Sequence, residues 1–191
     1  MELELLSSTT SRYGLILFLK NDDPIGSSLK AYGEWAQIEL DLLLSLIQSD
    51  SVVVDVGANI GTHSMAFASK LKKHGQIISI EPQSFIYNIL NTNLERFQNT
   101  TQIKTVQGAA GAKKGIIFIP TQDYALHGNF GAISVEPKNN INPKTQTVVD
   151  MFCIDDLHLD RVTLIKMDAE GFEIDVLKGA DKTIKTHKPI L

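Results

Sequence analysis

Three short segments hold residue types whose spacing can do chemistry. The first is Asp55-Val56-Gly57-Ala58-Asn59-Ile60-Gly61. It follows a β-branched run and precedes a helical stretch. Gly57 allows a tight turn, Ala58 is small enough for a ligand to approach the backbone, and Gly61 permits close packing of helix on strand. The helix that starts here, at Thr62 and His63, offers free N–H groups to an anionic ligand group. The spacing is D-x-G-x-N-x-G, not the G-x-G-x-x-G of dinucleotide enzymes. Asn59 stands where a glycine would let a pyrophosphate lie against the backbone. That favours a ligand bearing a carboxylate and an ammonium, with Asp55 binding the ammonium directly or through water.

The second segment ends in Glu81-Pro82, at the end of a further apolar run. An acid at a strand tip sits where a ribose can donate both hydroxyls to one carboxylate. The third is Lys166-Met167-Asp168-Ala169-Glu170-Gly171. Ligands of open α/β sheets bind at the carboxyl ends of the strands, so Asp55, Glu81, Asp168 and Glu170 are expected to face one rim. Four acids around one pocket repel one another unless a cation joins them. A sulfonium-and-ammonium cofactor supplies that cation. A metal would do so too, but the cluster has no histidine partner and none is expected.

The elements that must position these residues are legible as alternation. Residues 13–19 read as a strand and Asn21-Asp22-Asp23-Pro24 as a turn. In residues 34–48, Trp35, Ile38, Leu42, Leu43 and Leu46 recur at helical spacing. Val52-Val53-Val54 is a strand buried on both faces. A helix over 62–73, a strand over 76–80, a helix from Pro82 to about residue 97 and a strand over 103–107 follow. Residues 116–119 and 132–135 read as strands flanking a Gly/Asn-rich loop, 162–167 as a buried strand and 172–180 as a helix. Such alternation means βαβ units: an α/β fold with a mainly parallel sheet and helices on both faces. Residues 137–145 read as an inserted loop rather than a domain linker. The expected organisation is an extension over 1–50 packed on a core domain over 51–191.

Composition narrows the function further. The 191 residues carry a net charge of −4 and one cysteine, Cys153. A weakly acidic chain does not grip nucleic acid by bulk electrostatics. One cysteine excludes an internal disulfide framework. No apolar run approaches the ~20 residues of a membrane span, and the first residues lack a secretion signal, so a cytoplasmic protein is expected. Oligomeric state has no signature in the sequence.

Taken together the segments resemble the FkbM family of S-adenosylmethionine-dependent O-methyltransferases, over roughly residues 32–191. The resemblance is carried by YGEW (32–35), VVDVGANIG (53–61), ISIEP (78–82), NFGAISV (129–135) and IKMDAEGFEIDVLKGA (165–180). K-x-D-x-E-G followed by L-K-G-A is the most specific of these. The resemblance implies a Rossmann-like class I methyltransferase fold. It also implies S-adenosyl-L-methionine as cofactor and a hydroxyl of a small molecule or sugar as acceptor. It places Asp55, Gly57, Asn59 and Gly61 at the methionine end of the cofactor and Glu81 at the ribose. Gly108 and Ala109 fall at the adenine, and Asp168 and Glu170 at the methyl-transfer site. His63, in the first helical turn, is expected either to touch the cofactor carboxylate or to cap the packing there. The proton of the attacking hydroxyl has Asp168 and Glu170 as acceptors by position, and His127 by its near-neutral titration. The loop over 121–145 is the expected specificity element.

Two other readings stand beside this one. A nicotinamide-dependent dehydrogenase shares the strand–glycine–helix–acid pattern, and a non-catalytic binding module would share the fold. By resemblance the sheet has seven strands in the order 3-2-1-4-5-7-6. Only the beginning of the fifth, Pro189-Ile190-Leu191, is present. The expectation is therefore a C-terminally truncated sheet.

Overall fold

The computed structural model describes residues 2–132 and 145–191. Its centre is a four-stranded parallel sheet built from β3 (Val52–Val56), β4 (Gln76–Glu81), β5 (Gln102–Gln107) and β9 (Leu164–Met167), in the order β5-β4-β3-β9. All five residues of β3 are buried, as its β-branched run demands for a strand covered on both faces. On one face Val53, Ile77 and Leu164 pack against α3 (Thr62–Lys70) and α4 (Ser84–Leu94) through Met65, Phe67, Ile86 and Leu90. On the other, Val54, Ile78 and Ile165 pack against α5 (Glu173–Gly179) and α6 (Asp181–His187) through Val176 and Ile184. This is the expected α/β arrangement. Beyond β9, the Ile190 N–H donates to Thr163 and the Ile165 N–H to Ile190, so Ile190 adds to the sheet as a parallel partner of Leu164.

The other elements surround this core. A hairpin of β1 (Leu6–Ser11) and β2 (Gly14–Leu19) packs on α4 through Asn93, which is 1% exposed. The Asn93 carboxamide accepts from Leu17 N and donates to the carbonyls of Leu17 and Ile60, tying the hairpin to the glycine turn. A smaller sheet, β6 (Ala109–Ala110), β8 (Gln146–Phe152) and β7 (Gly115–Pro120), flanks the carboxyl ends of the main strands.

Several expectations are corrected here. The helix expected over 34–48 is shorter, α2 (Gln37–Ser45), and a separate helix, α1 (Ile25–Tyr32), precedes it, the two joined through Gly33 and Ala36 in left-handed conformations. Ile38 is 90% exposed and Leu42 62%, while Leu40 and Ile47 are buried. The segment carries two apolar stripes, and Leu40, Leu43, Leu44 and Ile47 form the one that meets the core. The helix expected from Pro82 begins at Ser84. The strand at 116–119 is present as β7, but its partner is β8, a strand that no local alternation announces. The strand expected at 132–135 and the loop at 137–145 lie almost wholly outside the described residues. Cys153 is half-buried, at the start of a short 3-10 turn.

Candidate functional site

A cavity of about 180 Å³ opens at the carboxyl ends of β3, β4 and β9. Of the residues singled out from sequence, Gly57, Ala58, Asn59, Thr62, His63, Glu81, Pro82, Gly108, Ala109, Asp168 and Glu170 line it. Asp55, Gly61 and His127 are not among the lining residues.

The glycine turn and Glu81 form one unit. Gly57 has φ +72, and a Cβ there would stand 1.9 Å from the Asp168 carbonyl, so the tip of β9 closes against the turn only because the side chain is absent. The N–H groups of Gly57 and Ala58 donate to the Ile80 carbonyl at the end of β4. Asn59 takes a left-handed conformation, φ 50, which asparagine tolerates better than most residues. That turns its N–H onto Glu81 Oε2 at 3.0 Å, while Gln83 N donates to Oε1 at 2.9 Å. Glu81 is 3% exposed, and burial pushes its carboxyl up to about 7 despite those two donors. Gly61 packs against the Leu90 side chain of α4, not against a strand, which corrects its expected role.

Asp55 is fully buried beneath the cavity floor. Ser64 Oγ donates to its Oδ2 at 2.7 Å and in turn meets Ser79 Oγ. Its Oδ1 faces Lys166 Nζ at 3.4 Å. The expected direct contact of Asp55 with a ligand ammonium is therefore occupied by the chain's own cation. Lys166 also reaches Asp168 at 3.9 Å and the Gly57 carbonyl at 3.4 Å. Asp55 and Lys166 are paired residues on adjacent parallel strands. The cation that must join the acids was in view in K-x-D-x-E-G, and reading that motif for its acids alone missed it.

Asp168 and Glu170 sit on the rim and are exposed. Glu170 and Gly171 both have positive φ, so the chain reverses sharply after β9. Glu173 staples this turn by accepting from the N–H groups of Ala169 and Gly171. Partial burial and the neighbouring Asp168 and Glu173 raise the Glu170 carboxyl above its ordinary range. His63 is 6% exposed, with Nε2 3.4 Å from Glu39 on α2. Burial lowers its affinity for a proton, and the charge of Lys166 lowers it further. His127 is exposed, in the loop over 121–132.

That loop and the N-terminal segment share one wall. Gly128 N donates to Asn21 O, Asp23 N to Gly128 O, and Phe130 N to the buried Asp22. Gln83 Nε2 donates to Phe130 O, and Tyr124 donates to Gln83 Oε1. The result brings Pro24, Ile25, Trp35, Asn129 and Gly131 to the cavity. Trp35 is thus half-buried, lining the cavity while it packs against the core.

Residues 55–191 match the methyltransferase FkbM domain model. The chain belongs to the FkbM methyltransferase family. The hexuronic acid methyltransferase AglP of Haloferax volcanii is 27% identical over 145 residues, covering 76% of this chain and 56% of that protein. Methyltransferase sdnD of Sordaria araneosa is 25% identical over 166 residues, covering 71% and 62%. The chain therefore spans less than two thirds of the length of these curated relatives. An FkbM methyltransferase structure from Methylobacillus flagellatus superposes with a TM-score of 0.54 at 26% identity, covering 75% of this chain and 32% of that one. The FkbM match begins at Asp55, so the wall built from Pro24, Ile25 and Trp35 precedes it. The family supports none of the dehydrogenase reading. No helix among the described residues is long and apolar enough to cross a membrane.

Proposed function

We propose that the protein transfers a methyl group from S-adenosylmethionine to a hydroxyl of a small-molecule or sugar acceptor. The observation that carries this is the union of the glycine turn with Glu81 in one cavity whose opposite rim is Asp168 and Glu170. A buried carboxylate with one donor on each oxygen keeps lone pairs for a ribose diol. Thr62 and His63 bring the start of α3 to the cavity, suited to a carboxylate. Gly108 and Ala109, without bulk, leave room for a flat base beside β5. When bound, the cofactor supplies a methyl on a sulfonium sulfur with a neutral leaving group.

The chain's part is then to align the hydroxyl and take its proton. Asp168 and Glu170 are the acceptors that line the cavity, and Glu170, with its raised carboxyl, is the better matched base. His127, exposed and off the lining, drops behind them. The resemblance to a hexuronic acid methyltransferase supports a sugar acceptor. The test is calorimetric titration with S-adenosylmethionine and S-adenosylhomocysteine, followed by mass-spectrometric detection of methyl transfer to a hydroxyl library that includes hexuronic acids. A folded protein that binds neither ligand at millimolar concentration refutes the cofactor. Binding without transfer to any hydroxyl refutes the O-methylation.

A further inference from the structure

Lys166 is the cation of the site, and its setting is unusual for an ion pair. The side chain is 9% exposed, lines the cavity and sits between a fully buried aspartate and an exposed one. Its Nζ is 3.4 Å from Asp55 Oδ1, 3.4 Å from the Gly57 carbonyl and 3.9 Å from Asp168 Oδ2. These are long for charge-assisted hydrogen bonds, which run at about 2.7–2.9 Å. Asp55 Oδ1 is buried and has no hydrogen-bond partner. A tight, bidentate pair would confine its field. A loose pair in a low-dielectric floor lets the charge act on whatever occupies the cavity above it. His63 on the cavity wall, its proton affinity lowered first by burial, faces both members of the pair: Lys166 lowers that affinity and Asp55 raises it.

We propose that Lys166 is a charge-setting residue: its ammonium offsets Asp55 and Asp168 and so weakens the cavity's hold on a cationic sulfonium relative to a neutral thioether. This rests on the cofactor reading above and adds a function to it. Interactions that stabilise the sulfonium ground state slow methyl transfer, because the positive charge leaves sulfur as the methyl departs. Asp55, Glu81, Asp168 and Glu170 would together grip the cationic cofactor too firmly. Lys166 removes that excess and lets the charged and neutral forms exchange.

The test compares affinities for S-adenosylmethionine and S-adenosylhomocysteine in the full chain by calorimetry at pH 8. For a unit charge taken as about 8 Å from the sulfur, an effective dielectric of ~20 makes the change in relative affinity roughly 30-fold. Lys166→Met is expected to shift the ratio of the two affinities toward the sulfonium by that amount. Asp55→Asn shifts it the other way. The double variant, with both charges gone, returns to within about threefold of wild type, and Lys166→Arg keeps the wild-type ratio. A structural role for Lys166 would instead weaken both ligands together and leave the ratio fixed. If Lys166→Met does not fold, Lys166→Gln and Asp55→Asn carry the same opposite signs. A ratio that stays constant across folded variants that bind both ligands overturns the proposal. A wild-type protein that binds neither ligand overturns the cofactor reading, and this proposal with it.

Discussion

Gly57→Ala is the substitution on which the site's construction is most exposed to test. Two effects act there: φ is +72, and the new Cβ meets the Asp168 carbonyl at 1.9 Å, where 3.0 Å is the practical limit. Two other glycines separate them. Gly171 has φ +91 with nothing within 4 Å, so Gly171→Ala carries the backbone cost alone. Gly179 ends α5, has no left-handed φ, and would put its Cβ 1.9 Å from the Gly111 carbonyl, so Gly179→Ala carries the clash alone. A left-handed alanine costs ~1–2 kcal/mol, reduced by the lower entropy of the unfolded chain, leaving about 1 kcal/mol at Gly171. Overpacking costs ~1–3 kcal/mol, so Gly179→Ala is expected to lose about 2 kcal/mol. Gly57→Ala should approach the sum, about 3 kcal/mol. Urea denaturation followed by circular dichroism measures all three. In Gly57→Ala, the tip of β9 must move by at least 1.1 Å (3.0 − 1.9), so affinity for S-adenosylhomocysteine falls as well. The Gly171→Ala protein should bind nearly as wild type. If Gly57→Ala is no more destabilised than Gly171→Ala, the turn and strand tip are not in the close contact described.

Glu81 predicts a pH dependence with a definite sign. Its carboxyl is raised from 4.5 to about 7, so its contribution to stability is fully present below pH 4.5 and is lost as pH rises through 7. The unliganded protein should lose stability from pH 5 to 8 by thermal melts, and Glu81→Gln should flatten that slope. Ribose binding uses the ionised form, so cofactor affinity should rise over the same interval in calorimetry. Asn93→Leu removes one buried and two partly buried hydrogen bonds and strands partners in Leu17 and Ile60, so about 2–4 kcal/mol should be lost in urea titrations. His63, with proton affinity lowered by burial and Lys166, should remain neutral at pH 7 in an imidazole NMR titration. Glu39→Gln should lower that affinity further, because it removes the carboxylate that faces Nε2.

The central sheet was legible because its signals are local. The run Val52-Val53-Val54, the turn Gly57–Gly61 and Glu81 each announce a strand, a reversal and a strand tip without help from distant residues. Long-range packing decided what was not. In residues 37–47 two apolar stripes compete, and the choice of Leu40 and Ile47 over Ile38 and Leu42 depends on which face meets the core. β8 has too little alternation to stand out, and it exists because β7 needs an antiparallel partner. In the site, the acids were found by type and position, while Lys166 was passed over because its partner Asp55 is 111 positions away along the chain and adjacent only through strand register. The Asn21–Pro24 wall was unreadable for the same reason: its bonds go to Gly128 and Phe130.

That register also sets an order of events during synthesis. β3 has β4 beside it within about 25 residues of chain, but its other neighbour, β9, arrives only after the intervening hundred or so have been made. At roughly 10 residues per second the central strand waits on the order of ten seconds with one edge unpaired. Asp55 spends that time without Lys166, and the turn at Gly57 without the strand tip that closes on it. The ion pair, the turn and the rim are completed by one late docking event, so the nascent chain has no assembled site until Met167 and the turn behind it have left the ribosome.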